Sequence, residues 1–229
     1  SKAHQKIIKK FDACWVPDVE GKPNLTGKLG HLKKSKLKIV YLGPLSRFEK
    51  KDIPIVHDLM VLLSGPEPQR TFLEEKLLKE LQGFEGNILF VKGKVEDEQS
   101  KEEIKTEKGS IVLYNFMKSA ELETTINQSR KVLCRSGYTT VMDLAKLEKK
   151  AFFIPTPGQY EQEYLAKRLE KQQLVPYCEQ DDFTLAQLSR MEDFKGLAHF
   201  DSEIDYSALF ALFSKVNENS EPTPTSLST

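Results

Sequence analysis

The sequence predicts an α/β domain, a doubly wound, Rossmann-like parallel sheet of about six strands with helices on both faces. Three observations lead there. From His57 onward, short apolar runs alternate with helical patterns at a steady pace. The runs are nearly continuous in apolar character, as strands are when both faces of a sheet are covered. The connections are short and rich in Ser, Gly and Pro, the residues that turn a chain from strand to helix.

DLMVLLSG (Asp58 to Gly65) is the first strand of the series, aliphatic and closed by Ser-Gly-Pro. Glu67 to Phe84 follows as a helix, because Phe72, Leu73, Leu77, Leu78 and Leu81 recur at helical spacing. GNILFVKG (Gly86 to Gly93) is the second strand, with turn signals at both ends. EDEQSKEE then reads as a charged loop. SIVLYNF (Ser110 to Phe116) is the third strand and Lys118 to Gln128 its helix. Lys131 to Cys134 is a short fourth strand, followed by a helix from Thr139 to Lys149 with Val141, Leu144, Ala145 and Leu147 inward. KAFFIPTP is the fifth strand, stopped by two prolines. Gln159 to Gln172 is the next helix, with Tyr164, Leu165 and Leu169 along one side. LVPYC makes a weaker sixth strand, and Phe183 to Phe194 a last helix.

Before His57 the rhythm differs. Ser1 to Phe11 reads as helix, DACWVPD as an isolated strand, and Val19 to Lys36 as a Gly/Pro/Lys-rich link. A lone helix and strand cannot bury their own faces. The expected organisation is therefore a remnant of a preceding domain plus linker (residues 1–36), the doubly wound domain (37–214) and a polar, disordered tail (215–229).

Composition narrows the function classes. The chain is 39% hydrophobic and 30% charged, ordinary for a globular domain. Lys plus Arg and Asp plus Glu number 34 each, so no global field draws in nucleic acid. The basic stretch KLGHLKKSKLK (Lys28 to Lys38) reads as a solvated linker ahead of a contact for anionic lipid. Cys14, Cys134 and Cys178 are odd in number and far apart, which argues for a reducing compartment and against zinc or disulfides. His4, His31, His57 and His199 are too scattered to form a metal pair or a catalytic triad. Neither GxGxxG nor GxxxxGK[ST] occurs, which removes the best support for NAD-type and ATPase readings.

In doubly wound sheets, ligands sit where strand ends lead into helix N-termini, whose free N–H groups favour phosphate. SGPEPQR (Ser64 to Arg70) offers a hydroxyl, a glycine and a cation there. CRSGYTT offers Ser136 and Gly137 for close backbone approach and Thr139 or Thr140 as cap or phosphate donor. Asp143, one turn on, either complements the helix dipole or accepts the paired hydroxyls of a ribose. PTPGQYEQ (Pro155 to Gln162) places Gln159 and Gln162 on one helical turn, as a solvated face or as partners for a sugar.

Taken in order, GPLSR (Gly43 to Arg47), SGPEPQR, NFMK, RSGYTTVMD and PTPGQYEQ resemble the C-terminal donor-binding domain of glycosyltransferase family 28, of the GT-B group, over Tyr41 to Leu174. The resemblance implies a nucleotide-sugar donor, UDP-linked, bound by this domain. Arg47, Ser64, Gly65, Ser136, Gly137 and Thr140 would hold its diphosphate. The backbone at Phe116 and Met117 would meet the base, Asp143 the ribose, and Gln159 and Gln162 the sugar. SGPEPQR is poorer in glycine than the family's turn, and Asp143 stands where the family carries Glu.

The same resemblance implies a hexosyltransferase that inverts the anomeric carbon and uses neither cofactor nor metal. These loops hold no DxD-type carboxylate pair to bind one. The base and the acceptor site are expected in the protein's own N-terminal domain, absent from this chain, so the chain alone is expected to be inactive. The expected location is cytoplasmic, with peripheral attachment of the full-length protein at the inner face of the membrane. A UDP-sugar 2-epimerase or hydrolase of the same fold is the alternative, followed by a non-catalytic donor-binding subunit.

Overall fold

The structure, a computed structural model, describes residues 6–31, 38–94, 96–200, 207 and 210. Residues 6–8 are helical. Two short strands, β1 (Cys14–Val16) and β2 (Ile39–Tyr41), pair in parallel beside the main body. The main sheet comprises β3 (Leu59–Leu62), β4 (Gly86–Val91), β5 (Lys101–Thr106), β6 (Gly109–Tyr114), β7 (Lys131–Cys134) and β8 (Lys150–Phe153). Its order is β5-β6-β4-β3-β7-β8, parallel throughout except that β5 runs antiparallel to β6. Three α-helices connect its strands, α1 (Gln69–Glu80), α2 (Ser119–Asn127) and α3 (Tyr138–Lys146), and a fourth, α4 (Tyr160–Lys171), follows β8.

The near-continuous apolar strands are explained by a core on each face. Met60, Leu89, Val132 and Phe153 pack against Ile126 of α2, Val141 and Leu144 of α3, and Leu165 and Leu169 of α4. Their strand neighbours Leu59, Val61, Phe90, Leu133 and Phe152 face the other way, against Leu73 and Leu77 of α1. Successive residues of one strand thus enter opposite cores, which is why no polar alternation was visible.

Three elements differ from the sequence reading. Residues 101–106, which begin with the last three residues of the charged loop EDEQSKEE, are the edge strand β5, with Ile104 its one apolar residue packed toward a core. LVPYC is not a strand. Pro176 lacks the N–H a ladder needs, and the segment makes one bridge, Phe153 to Tyr177. The last helix, expected over Phe183 to Phe194, is a 3₁₀ helix, Leu185–Glu192, preceded by a 3₁₀ turn at Gln180–Asp182, with Phe183 set edge-on against Phe152 at 6.0 Å between ring centres. The sheet still has six strands, with the sixth at the opposite edge.

Residues 17–31 lie on the helices. The buried Asp18 carboxylate accepts from the N–H groups of Val19, Leu25 and Thr26 (2.8, 3.0 and 2.8 Å) and from the Thr26 hydroxyl, with His31 Nε2 at 3.1 Å. Arg168 of α4 donates to the Leu25 and Asn24 carbonyls, and the Tyr138 hydroxyl donates to the Pro17 carbonyl at 2.8 Å. Leu25 is fully buried in the α3–α4 core, worth roughly 2 kcal/mol. Lys28, from the basic stretch, sits over the rings of Tyr160 and Tyr164. The rest of that stretch from residue 32 to 37, residues 1–5 and the polar tail at 215–229 lie outside the described residues. No described helix is long and apolar enough to cross a membrane.

Candidate functional site

The chain winds from β3 through β4 to β6, then returns to the far side of β3 for β7 and β8. The winding direction therefore reverses between β3 and β7. At such a reversal the two connections diverge to opposite faces and leave a crevice at the carboxyl ends of the strands. The segments at that crevice are Leu63 to Pro68 after β3 and Arg135 to Gly137 after β7.

Ser64 and Gly65 are exposed at the first of these ends. Gly65 has φ +103°, a conformation that L residues rarely adopt, so glycine is required for the turn itself. At the end of β4, Gly93 (φ +67°) passes so close to the first turn that a Cβ there would lie 2.3 Å from the Leu63 carbonyl oxygen. Arg70, the cation of SGPEPQR, is turned aside. Its guanidinium donates to the Lys92 carbonyl and pairs with Glu67.

On the β7 side, Gly137 is the N-cap of α3 and no side chain caps that helix. The leading N–H groups of α3 are therefore presented without a side-chain acceptor of their own. Thr140 Oγ1 lies 3.7 Å from where a Gly137 Cβ would stand. Ser136 is fully buried and donates to the Gln162 carbonyl at 2.8 Å. Among the described residues Arg135 is the largest fully buried side chain. It donates to the carbonyls of Ile154 (3.1 Å), Pro155 (3.0 Å) and Gln69 (3.0 Å) and to Gln180 Oε1 (2.7 Å). These bonds fasten the β7 end to the β8 end and to the start of α1. Burial lowers the guanidinium to about 10, which leaves it a cation at neutral pH.

The loop from β8 into α4 is braced by its own glutamines. Gln162 Oε1 accepts from the Thr156 N–H at 2.8 Å, and Gln162 Nε2 donates to Gln159 Oε1 at 2.6 Å. The Thr156 hydroxyl is buried and has no hydrogen-bond partner among the described residues. Ser46 donates to Asp143 Oδ1 at 2.6 Å, tying the segment before β3 to α3. Burial pushes the Asp143 carboxyl up, and the Ser46 hydroxyl and the Arg47 charge hold back part of that rise. Arg47 is exposed, with its guanidinium 5.0 Å from the Phe48 ring centre.

The structure thus brings Ser64, Gly65, Ser136, Gly137 and Thr140 to the ends of two adjacent strands, with Gln159 and Gln162 at the start of α4, which follows the next strand, β8. Arg47 and Asp143 form a second group around Ser46. Phe116 and Met117 stand at the end of β6, two strands from β3. The Phe116 N–H is taken by Asn115 Oδ1 (2.9 Å) and its carbonyl by Gln99 (3.0 Å). Among the described residues, no hydrogen bond engages the backbone of Met117. Sequence reasoning missed Arg135, Ser46 and Thr156. An arginine directly after an apolar strand was the available signal for Arg135, because a cation at that place is buried and needs several acceptors. A threonine between two prolines carries no comparable signal.

No curated protein sequence matches the chain. Among solved structures it is similar to MurG of Acinetobacter baumannii, at 17% identity and a TM-score of 0.52, over 81% of this chain and 58% of that one. It is also similar to the spinosyn forosaminyltransferase SpnP, at 12% identity and a TM-score of 0.52, over 91% of this chain and 51% of that one. The chain thus spans little more than half the length of either protein, and at these identities the likeness establishes the fold. Residues 68–193, more than half of the chain, match the glycosyltransferase family 28 C-terminal domain, and the chain belongs to that family.

Proposed function

We propose that this domain binds the donor of a glycosyltransferase, a nucleotide sugar linked through UDP, whose hexosyl group passes to an acceptor hydroxyl. One observation carries the reading. The two strand ends that meet at the reversal of the sheet carry Ser64-Gly65 and Gly137, with the N-terminus of α3, capped by no side chain, behind Gly137. Glycine at both ends lets main-chain N–H groups approach phosphate oxygens directly. As the bond to the anomeric carbon breaks, charge grows on the departing diphosphate. Fixed N–H dipoles therefore stabilise the transition state more than the ground state. This chemistry needs no metal, and attack opposite the leaving group inverts the anomeric carbon.

In this reading Arg47 approaches the diphosphate and Asp143 accepts the ribose hydroxyls in exchange for Ser46. The backbone at Met117 meets the uracil, and Gln159 and Gln162 present their remaining amide hydrogens to the sugar. The acceptor and the base belong to another domain of the transferase, preceding residues 37–214, so this chain binds donor without catalysing transfer. We place the whole enzyme in the cytoplasm, at the inner membrane face. The test is titration of the 229-residue chain with UDP, GDP and TDP, followed by NMR shifts and thermal denaturation. UDP should move signals near Gly65 and Gly137 and raise Tm. No response to any of the three at millimolar concentration would refute the reading.

A further inference from the structure

We propose that the Thr156 hydroxyl is a hidden donor to the diphosphate, a ligand contact beyond the residues assigned above. The inference rests on the donor-site reading. Thr156 is 1% exposed, and its Oγ1 has no hydrogen-bond partner among the described residues. A buried hydroxyl without a partner is unfavourable, and a bound ion or ligand is one of the few things that explains such a group in a native structure. The direction in which it points fits that use. A Cβ built on Gly65 would lie 3.5 Å from Thr156 Oγ1, so the hydroxyl lies directly beneath the turn that ends β3.

The rest of Thr156 is held in place. Its N–H donates to Gln162 Oε1 at 2.8 Å and its carbonyl accepts from the Gln159 N–H at 3.0 Å. Gln162 in turn is fixed through its own carbonyl by Ser136. Both backbone groups of Thr156 are thus committed, and its hydroxyl is left over. Behind the bare face of Gly65, it supplies an O–H donor to a phosphate oxygen that settles on that turn. This also gives Gly65 a second reason to lack a side chain, since any Cβ would stand between the donor and the anion.

Thr156→Val keeps the shape and removes the hydroxyl, and Thr156→Ser keeps the hydroxyl. NMR titration of the chain with UDP, and with uridine as the phosphate-free control, reads the effect. For Thr156→Val we expect UDP affinity to fall five- to tenfold, uridine affinity to stay within twofold, and Tm to hold or rise as an unpartnered hydroxyl is lost. Thr156→Ser should bind UDP within about twofold of the parent. A Thr156→Val chain that binds UDP as tightly as the parent, or one whose Tm falls by several degrees, overturns the inference and leaves the donor-site reading intact. A parent chain that binds no UDP overturns both, and that result is visible before any variant is made.

Discussion

Replacing Arg135 with Met should loosen the whole crevice, and the size of the effect follows from its partners. Methionine retains the apolar stem but removes the donors that reach Ile154, Pro155, Gln69 and Gln180. Each oxygen left dry costs about 1 kcal/mol or more, roughly 4 kcal/mol for the set. Among the described residues no carboxylate pairs with the guanidinium, so its removal also relieves the burial of an unpaired charge, which returns a part of that. The net expectation is a loss of about 3 kcal/mol, or a Tm lower by about 6–12 °C for a domain of this size. Urea unfolding followed by circular dichroism measures it, with thermal melts as the second reading. Arg135→Lys should recover less than half, since one ammonium cannot fork toward both the β8 end and α1. A loss below about 1 kcal/mol for Arg135→Met would refute the reasoning, because the four oxygens would then be reached by water.

Gly65→Ala should cost about 1–2 kcal/mol through its φ of +103° alone, and should abolish the UDP response; urea melts and NMR titration separate the two effects. The raised Asp143 carboxyl makes a signed pH prediction. In the window between its unfolded and its raised folded pKa, the folded state holds the proton more tightly. Its stabilising contribution is therefore complete below that window and is lost as pH rises through it. Stability curves of Asp143→Asn should lack this downward step, and a matching step in the variant would assign it elsewhere. Burial pushes the thiols of Cys134 and Cys178 up, the latter to about 12, so a thiol reagent at neutral pH should label Cys14 alone in the native chain and all three after unfolding.

Much of this was legible in the sequence where burial dictated composition. The strands from β3 to β8 that face both cores announced themselves by unbroken Val, Leu, Ile and Phe, and the helices between them by spacing. What was illegible obeyed other rules. LVPYC has the apolar content of a strand, yet Leu174 and Val175 are buried as part of a loop, because Pro176 cannot pair. β2 is three residues long and half-buried, too short for periodicity to register. At the site, Ser64, Gly65, Gly137 and Asp143 were readable as residue types suited to strand ends. Their mutual bracing was not, since Ser136 to Gln162 and Ser46 to Asp143 join residues far apart in sequence.

β5 escaped sequence reading because KEEIKT is nearly all charge, and the same charge determines how the molecule behaves among its own copies. An edge strand offers unpaired N–H and C=O groups to any other edge, and a flat apolar one invites stacking into aggregates. Lys101, Glu102, Glu103 and Lys105 line this edge instead. Docking a second β5 in parallel register would stack like charges on one another, and docking in either direction would strip them of water. At the opposite edge, the end of β8 is covered by residues 176–178, with the Phe153 N–H spent on the Pro176 carbonyl and the Phe153 carbonyl on the Cys178 N–H. One edge is thus defended by charge and the other by occupation, so that a sheet with two strongly apolar faces carries no open edge on which to polymerise.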